Sequence, residues 1–175
     1  PLPHLDLFGS ILVPAALYLS NAGFLFGWAK PVPVDPSRYR DYVAGDIRVS
    51  LAGIVSNLAL AAISTVLLAV LLMLQTGMAM PSPLLEPAVV LLDYMILINL
   101  VLAFFNLIPI PPLDGSHVLA HLLPAGAARA YREFARYGIL VLMGVMILVP
   151  QAFSVIFWPV LFVRGLADQF IRLWI

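Results

Sequence analysis

Four apolar runs dominate this chain, and each reaches the roughly 20 residues that a bilayer-crossing helix needs. They are Leu7–Phe26, Val49–Leu74, a run from about Ala88 to Leu107, and Tyr137–Val163, the last interrupted at Val149–Gln151. Lipid offers no hydrogen-bond partner to a backbone, so such runs fold as helices or not at all. At 63% hydrophobic and 10% charged over 175 residues, the composition lies well outside soluble-domain usage. The expectation is an all-α polytopic membrane protein with about four to five transmembrane segments. A single transmembrane domain is expected over residues 1–175.

Formal net charge is zero and cysteine is absent. The first gives no reason to expect a nucleic-acid partner; the second excludes disulfides, thiolate metal sites and cysteine nucleophiles. Expected partners are the lipid bilayer and either a transmembrane protein substrate or neighbouring membrane subunits. Pro1 is not preceded by a basic n-region and short apolar segment, so no signal peptide is read. This start is expected to be an internal point of a longer chain.

Charge between the runs sets an orientation. Lys30, Arg38, Arg40 and Arg48 follow the first run, and Arg129, Arg132 and Arg136 follow the third. The loop after Leu74, "QTGMAMPSPLLEP", has no Lys or Arg. Under the positive-inside rule both basic stretches are cytoplasmic and the uncharged loop is not. The fourth run, broken by Pro150, reads either as one kinked span or as a tight pair of half-spans. The tail after Arg164, "RGLADQFIRLWI", reads as a short amphipathic interfacial helix.

Prolines alternate through Gly27–Tyr39, "GWAKPVPVDPSRY", which forces extended geometry and removes amide donors. Two readings stand: a plain surface loop, or an extended strand edging a groove where an unwound peptide could pair.

The third run ends in "FNLIPIPPLDG", Phe105–Gly115. Asn106 and the ladder Pro109, Pro111, Pro112 unwind backbone near the cytoplasmic side, which is tolerated only within protein or around a cavity. The carboxylate that follows, Asp114, is a functional candidate, because a charge at membrane depth is costly. The plain alternative makes Asp114 an N-cap of the next helix. If a helix starts there, Asp114, His117 and His121 share a face. Two histidines four apart can hold a metal, yet Val118 stands where a general-base Glu would be needed, and an interfacial role for His117 and His121 is the plainer reading. Gly53 and Asn57 lie one turn apart in "AGIVSN", a spacing that lets helices pack closely with an amide to bond across. His4 and Asp6 precede the first run, and Glu86 and Asp93 sit at the uncharged end of the third. No G-x-S-x-G or Gly-rich phosphate loop occurs, nothing sets Ser56 or Ser64 apart as nucleophiles, and no internal repeat supports a transporter.

These stretches together resemble the site-2 protease family of intramembrane zinc metalloproteases, in its compact bacterial form. "FNLIPIPPLDGSHVL" resembles the family's N-x-x-P-x-P-x-L-D-G signature. "LAGIVSNLALA" is similar to its A-G-P-x-x-N helix, with Ile54 replacing the proline. "PLPHLDLFGSILVP" and "FGWAKPVPVDP" look like the segments that follow the catalytic helix. The order matches, and the resemblance covers residues 1 to about 120. It implies Asp114 as the third zinc ligand, and Asn106, Asn57, Gly53, Pro109 and Pro111 as residues that shape the site or hold the substrate strand. It further implies water activated at zinc attacking a peptide bond near the cytoplasmic face of a bacterial inner membrane. The family's H-E-x-x-H, which carries two ligands and the general-base Glu, does not occur in these residues and is expected upstream of Pro1. The alternative function is a catalytically inactive homologue serving as an accessory subunit of a larger membrane complex.

Overall fold

The computed structural model describes residues 41–78, 85–149 and 151–174, with Leu12, Ala15, Ala16 and Leu19 nearer the N-terminus. The rest of Leu7–Phe26, the His4 and Asp6 pair and the Pro-rich Gly27–Tyr39 lie outside the described residues. The chain divides into two compact units, Pro1–Tyr39 and Arg40–Ile175.

Among the described residues the second unit has six helices: α1 (Tyr42–Met78), α2 (Leu85–Asn106), α3 (Asp114–Leu122), α4 (Ala125–Ala135), α5 (Gly138–Leu148) and α6 (Ala152–Arg172). No strand occurs among the described residues. Two of the helices, α1 and α2, are long and apolar enough to cross a membrane. Only 28% and 22% of their most apolar windows are buried within the protein, whereas the core helix of a soluble domain would be largely covered. Their uncovered sides carry large apolar residues such as Val55, Ile63, Leu91 and Ile98, the surface that lipid would solvate.

Helix α1 begins seven residues before the apolar run does. The reason is a cap: the Asp41 side chain accepts from the amides of Val43 and Ala44 at 3.0 and 3.2 Å, satisfying two of the orphan donors of the first turn. Arg48, expected in a loop, is therefore helical. At 37 residues, α1 is about 55 Å long, so it projects well beyond a hydrocarbon core of about 30 Å.

The core is a seam of α1, α2 and α6. Ala61, Leu68 and Ala69 from α1 meet Ile96 and Leu100 from α2 and Val160 and Ile171 from α6. Buried polar groups on the seam bond back into their own helices. Thr65 Oγ1 donates to the Ala61 carbonyl and Asn99 Nδ2 to the Met95 carbonyl, both at 2.8 Å, so no donor is stranded where water is absent.

At the C-terminus one open alternative is resolved and one expectation changes. The fourth run is not one kinked helix: it breaks at Val149–Gln151 into α5 and α6. The tail after Arg164 is not a separate interfacial helix but the continuation of α6. Arg164 stays inside that helix because it is neutralised. Its guanidinium donates to the Asp93 carboxylate of α2, to the Asp93 carbonyl at 3.2 Å and to Asp168 one turn on at 3.0 Å. With Arg164 at Asp93, and Val163 and Ala167 sharing a groove with Ile96 and Leu100, α6 runs in the same direction as α2.

Candidate active site

The site grows out of the break between α2 and α3. Helix α2 ends at Asn106, and three of the next six residues are prolines without amide hydrogens. The remaining donors are all used locally. Leu107, Ile108, Ile110 and Leu113 amides donate to the carbonyls of Ala103, Phe105, Ile108 and Ile110, at 2.9 to 3.2 Å. The unwound segment thus has no unsatisfied backbone donor, which is what allows it at membrane depth.

Two glycines and a tyrosine hold the segment in place. A Cβ on Gly115 would stand 2.3 Å from the Leu107 carbonyl oxygen, and one on Gly138 would stand 2.1 Å from that of Pro111. Neither approach leaves room for a side chain, which gives the Asp-Gly pair a steric reason: only glycine lets α3 start against the end of the broken helix. Tyr131 of α4 donates its hydroxyl to the Pro109 carbonyl at 3.0 Å.

Asp114 opens α3 but does not cap it. The N-cap is Leu113, in an extended conformation and without a side-chain cap bond, so the capping alternative is not what the structure shows. The Asp114 carboxylate instead faces α1: a Cβ built on Gly53 would lie 3.3 Å from Asp114 Oδ2. Helix α3 lies outside the two spanning helices, and there burial raises the Asp114 carboxyl above its ordinary range while nearby His117 pulls it back down. No hydrogen bond or ion pair to the carboxylate is found among the described residues.

The other residues singled out by sequence fall into two groups. Gly53 is in direct apposition to Asp114. Asn57 lies one turn further along the same face of α1, half-buried, and Asn106 is the half-buried last residue of α2; among the described residues no hydrogen bond joins either amide to Asp114. His117 and His121 turn elsewhere. His121 Nε2 lies 2.7 Å and His117 Nδ1 3.4 Å from the same oxygen of Asp46, and the Tyr42 ring meets His121 edge-on at 5.7 Å. Asp46, Tyr131 and Gly138 were not legible as site residues. For Asp46 a signal existed: Asp46, Ser50, Gly53 and Asn57 recur at helical spacing and share one face.

Among the described residues no group of three or more His, Asp or Glu is placed to hold a metal. Asp114 meets the requirement for one oxygen donor: half-buried, without a hydrogen bond or ion pair among the described residues, and opposite a residue that leaves its carboxylate space.

The description "Peptidase family M50" matches residues 82–150, the stretch that contains α2, the proline break, α3 and α4. The chain is also 37% identical over 161 residues to a protein of Bacillus subtilis (strain 168) named "Putative zinc metalloprotease YwhC", covering 92% of this chain and 68% of that one. The chain belongs to peptidase family M50. This is the site-2 protease family that the Asn-Pro-Asp-Gly motif resembled, and the matched residues include that motif. No solved structure matches.

Proposed function

We propose that this M50 chain forms the core of an intramembrane zinc metalloprotease that hydrolyses peptide bonds of transmembrane substrates near the cytoplasmic face of a bacterial membrane. The observation that carries the reading is the Asp114 carboxylate. It stands at the exit of a proline-broken membrane helix, not used as a cap, without an ion pair among the described residues, and pointed at Gly53. A carboxylate left uncompensated in so apolar a chain is costly, and a bound dication compensates it.

Asp114 supplies one oxygen donor, within the N and O ligand set that zinc accepts. Zinc, when bound, supplies Lewis acidity toward a peptide carbonyl and lowers the pKa of water. The chain's own residues do the rest. Gly115 and Gly138 fix the broken segment, Gly53 keeps the carboxylate side clear, and Asn57 and Asn106 flank the site with amides able to bond an unwound substrate backbone. The remaining ligands and the general-base Glu are assigned to the H-E-x-x-H of the longer protein.

The proposed orientation places the start of α1 and the basic helix α4 on the cytoplasmic side. It is supported by the contact of Asp46 with His121, which brings the two basic stretches of the sequence together. Four to five crossings are proposed, with α6 returning alongside α2 and the N-terminal run contributing another.

The test is metal analysis of the purified full-length protein together with cleavage of a hydrophobic helical peptide carrying a quenched fluorophore. The reading expects about one zinc per chain and cleavage abolished by Asp114→Asn. Zinc content independent of Asp114 would sink it.

A further inference from the structure

Two of the contacts between α1 and α3 fix their register, and the spacing on the two helices is the same. Asp46, Ser50, Gly53 and Asn57 follow at intervals of four, three and four and so share one face of α1. Asp114, His117 and His121 follow at three and four on α3. His121 meets Asp46 at 2.7 Å, and Asp114 Oδ2 meets the bare face of Gly53. Each pair of contacts is seven residues apart on its own helix, about 10 Å along the axis. The helices therefore run antiparallel, and both contacts hold in a single register. Ser50, buried between them, is small enough to permit the approach.

The far contact matters because α3 cannot orient itself. It has nine residues and no side-chain cap, a length at which an isolated helix is not stable in water. Gly115, packed against the Leu107 carbonyl, and Ser116, bonded to the Tyr131 side chain, pin its first turn. The second pin is the pair at the other end. His121 and Asp46 are 9% and 21% exposed, so their bond is shielded from the solvent screening that weakens surface pairs. His117 adds a longer contact to the same oxygen.

We infer that Asp46 and His121 are positioning residues: they hold α3 in the register that aims the Asp114 carboxylate at the Gly53 face. Neither touches the reacting atoms. The contact stands on geometry alone, and its functional consequence rests on the proposed role of Asp114 as a metal ligand.

The experiment uses the full-length protein with two readouts. The 175 residues contain no cysteine, so nitroxide labels at Arg48→Cys and Leu122→Cys, both on exposed positions, report the distance between α1 and α3. Zinc affinity is measured by competition with a chelator. Unlabelled positions 46 and 121 are then varied. Asp46→Ala and His121→Ala are expected to broaden the distance distribution and weaken zinc binding about 10- to 100-fold, the range typical of residues that orient a ligand. The exchange Asp46→His with His121→Asp, and the conservative His121→Gln, are expected to restore both readouts toward the parent values. Unchanged distributions in the alanine variants would overturn the clasp. Broadened distributions with unaltered zinc affinity would overturn its positioning role. A parent protein that binds no zinc would defeat the proposed function, while the distance distributions would still decide the clasp.

Discussion

Two carboxylate sites in this apolar chain are treated in opposite ways. Asp93 and Asp168 flank Arg164, which binds both and also the Asp93 carbonyl. That cluster stitches α6 to α2 and gives both carboxylates one shared cation. Asp114 has burial and a helix break but no hydrogen bond or ion pair among the described residues, and only the half-exposed His117, itself in contact with Asp46, lies near enough to act on its charge. In a membrane protein the difference is informative: a carboxylate bound to a cation fastens helices, and one without such a bond is a candidate for function, the basis of the metal-ligand role proposed for Asp114.

The sharpest way to break this comparison is Asp114→Asn. It should abolish peptide cleavage and weaken zinc binding by more than about 100-fold, beyond the cost of outer-shell changes, while thermal unfolding in detergent, compared between the metal-free proteins, does not fall. Next comes Gly115→Ala. Its Cβ would meet the backbone carbonyl of Leu107 at 2.3 Å, and backbone cannot yield as a side chain can. A loss of about 1–3 kcal/mol is expected, read as a lower melting temperature together with weaker zinc binding because α3 shifts.

Arg164→Met probes the other carboxylate site. Asp93 and Asp168 are 46% and 43% exposed, so screening limits the penalty to about 1–2 kcal/mol. The melting temperature should fall and zinc content should not, the reverse of Asp114→Asn. A Cβ added by Gly53→Ala comes within 3.3 Å of Asp114 Oδ2, a distance that a shift of a few tenths of an ångström relieves. The expected outcome is a cleavage rate reduced about 10-fold or less with unfolding unchanged. Smallest of all is Tyr131→Phe, which removes the bond to the Pro109 carbonyl and should cost about 1 kcal/mol in thermal unfolding.

How much of the fold and site is legible in one dimension depends on the range of the forces. Periodless apolar runs found α1 and α2, because membrane length is a local property. The prolines found the end of α2, because a missing amide hydrogen is also local. The start of α1 was missed since "DYVAGDIR" looks too polar for a membrane run; Asp41 capping and the projection beyond the bilayer explain it. Arg164 was read as the end of a membrane segment on its charge alone, and Asp93, 71 residues away, reverses that reading. Asp114 and Gly53 were singled out by motif and the fold sets them face to face. Asp46 was passed over because an aspartate near a basic stretch looks like any solvated residue until its partner on α3 is known. Only the common spacing of the two helix faces hinted at it.

The central claim is that Asp114 is held for a metal. The most direct measurement is zinc X-ray absorption on the full-length protein beside its Asp114→Asn variant. The account predicts about one zinc per chain with nitrogen and oxygen neighbours near 2.0–2.2 Å, and loss of the metal from the variant after chelator dialysis. Identical zinc occupancy and coordination in both proteins would contradict it.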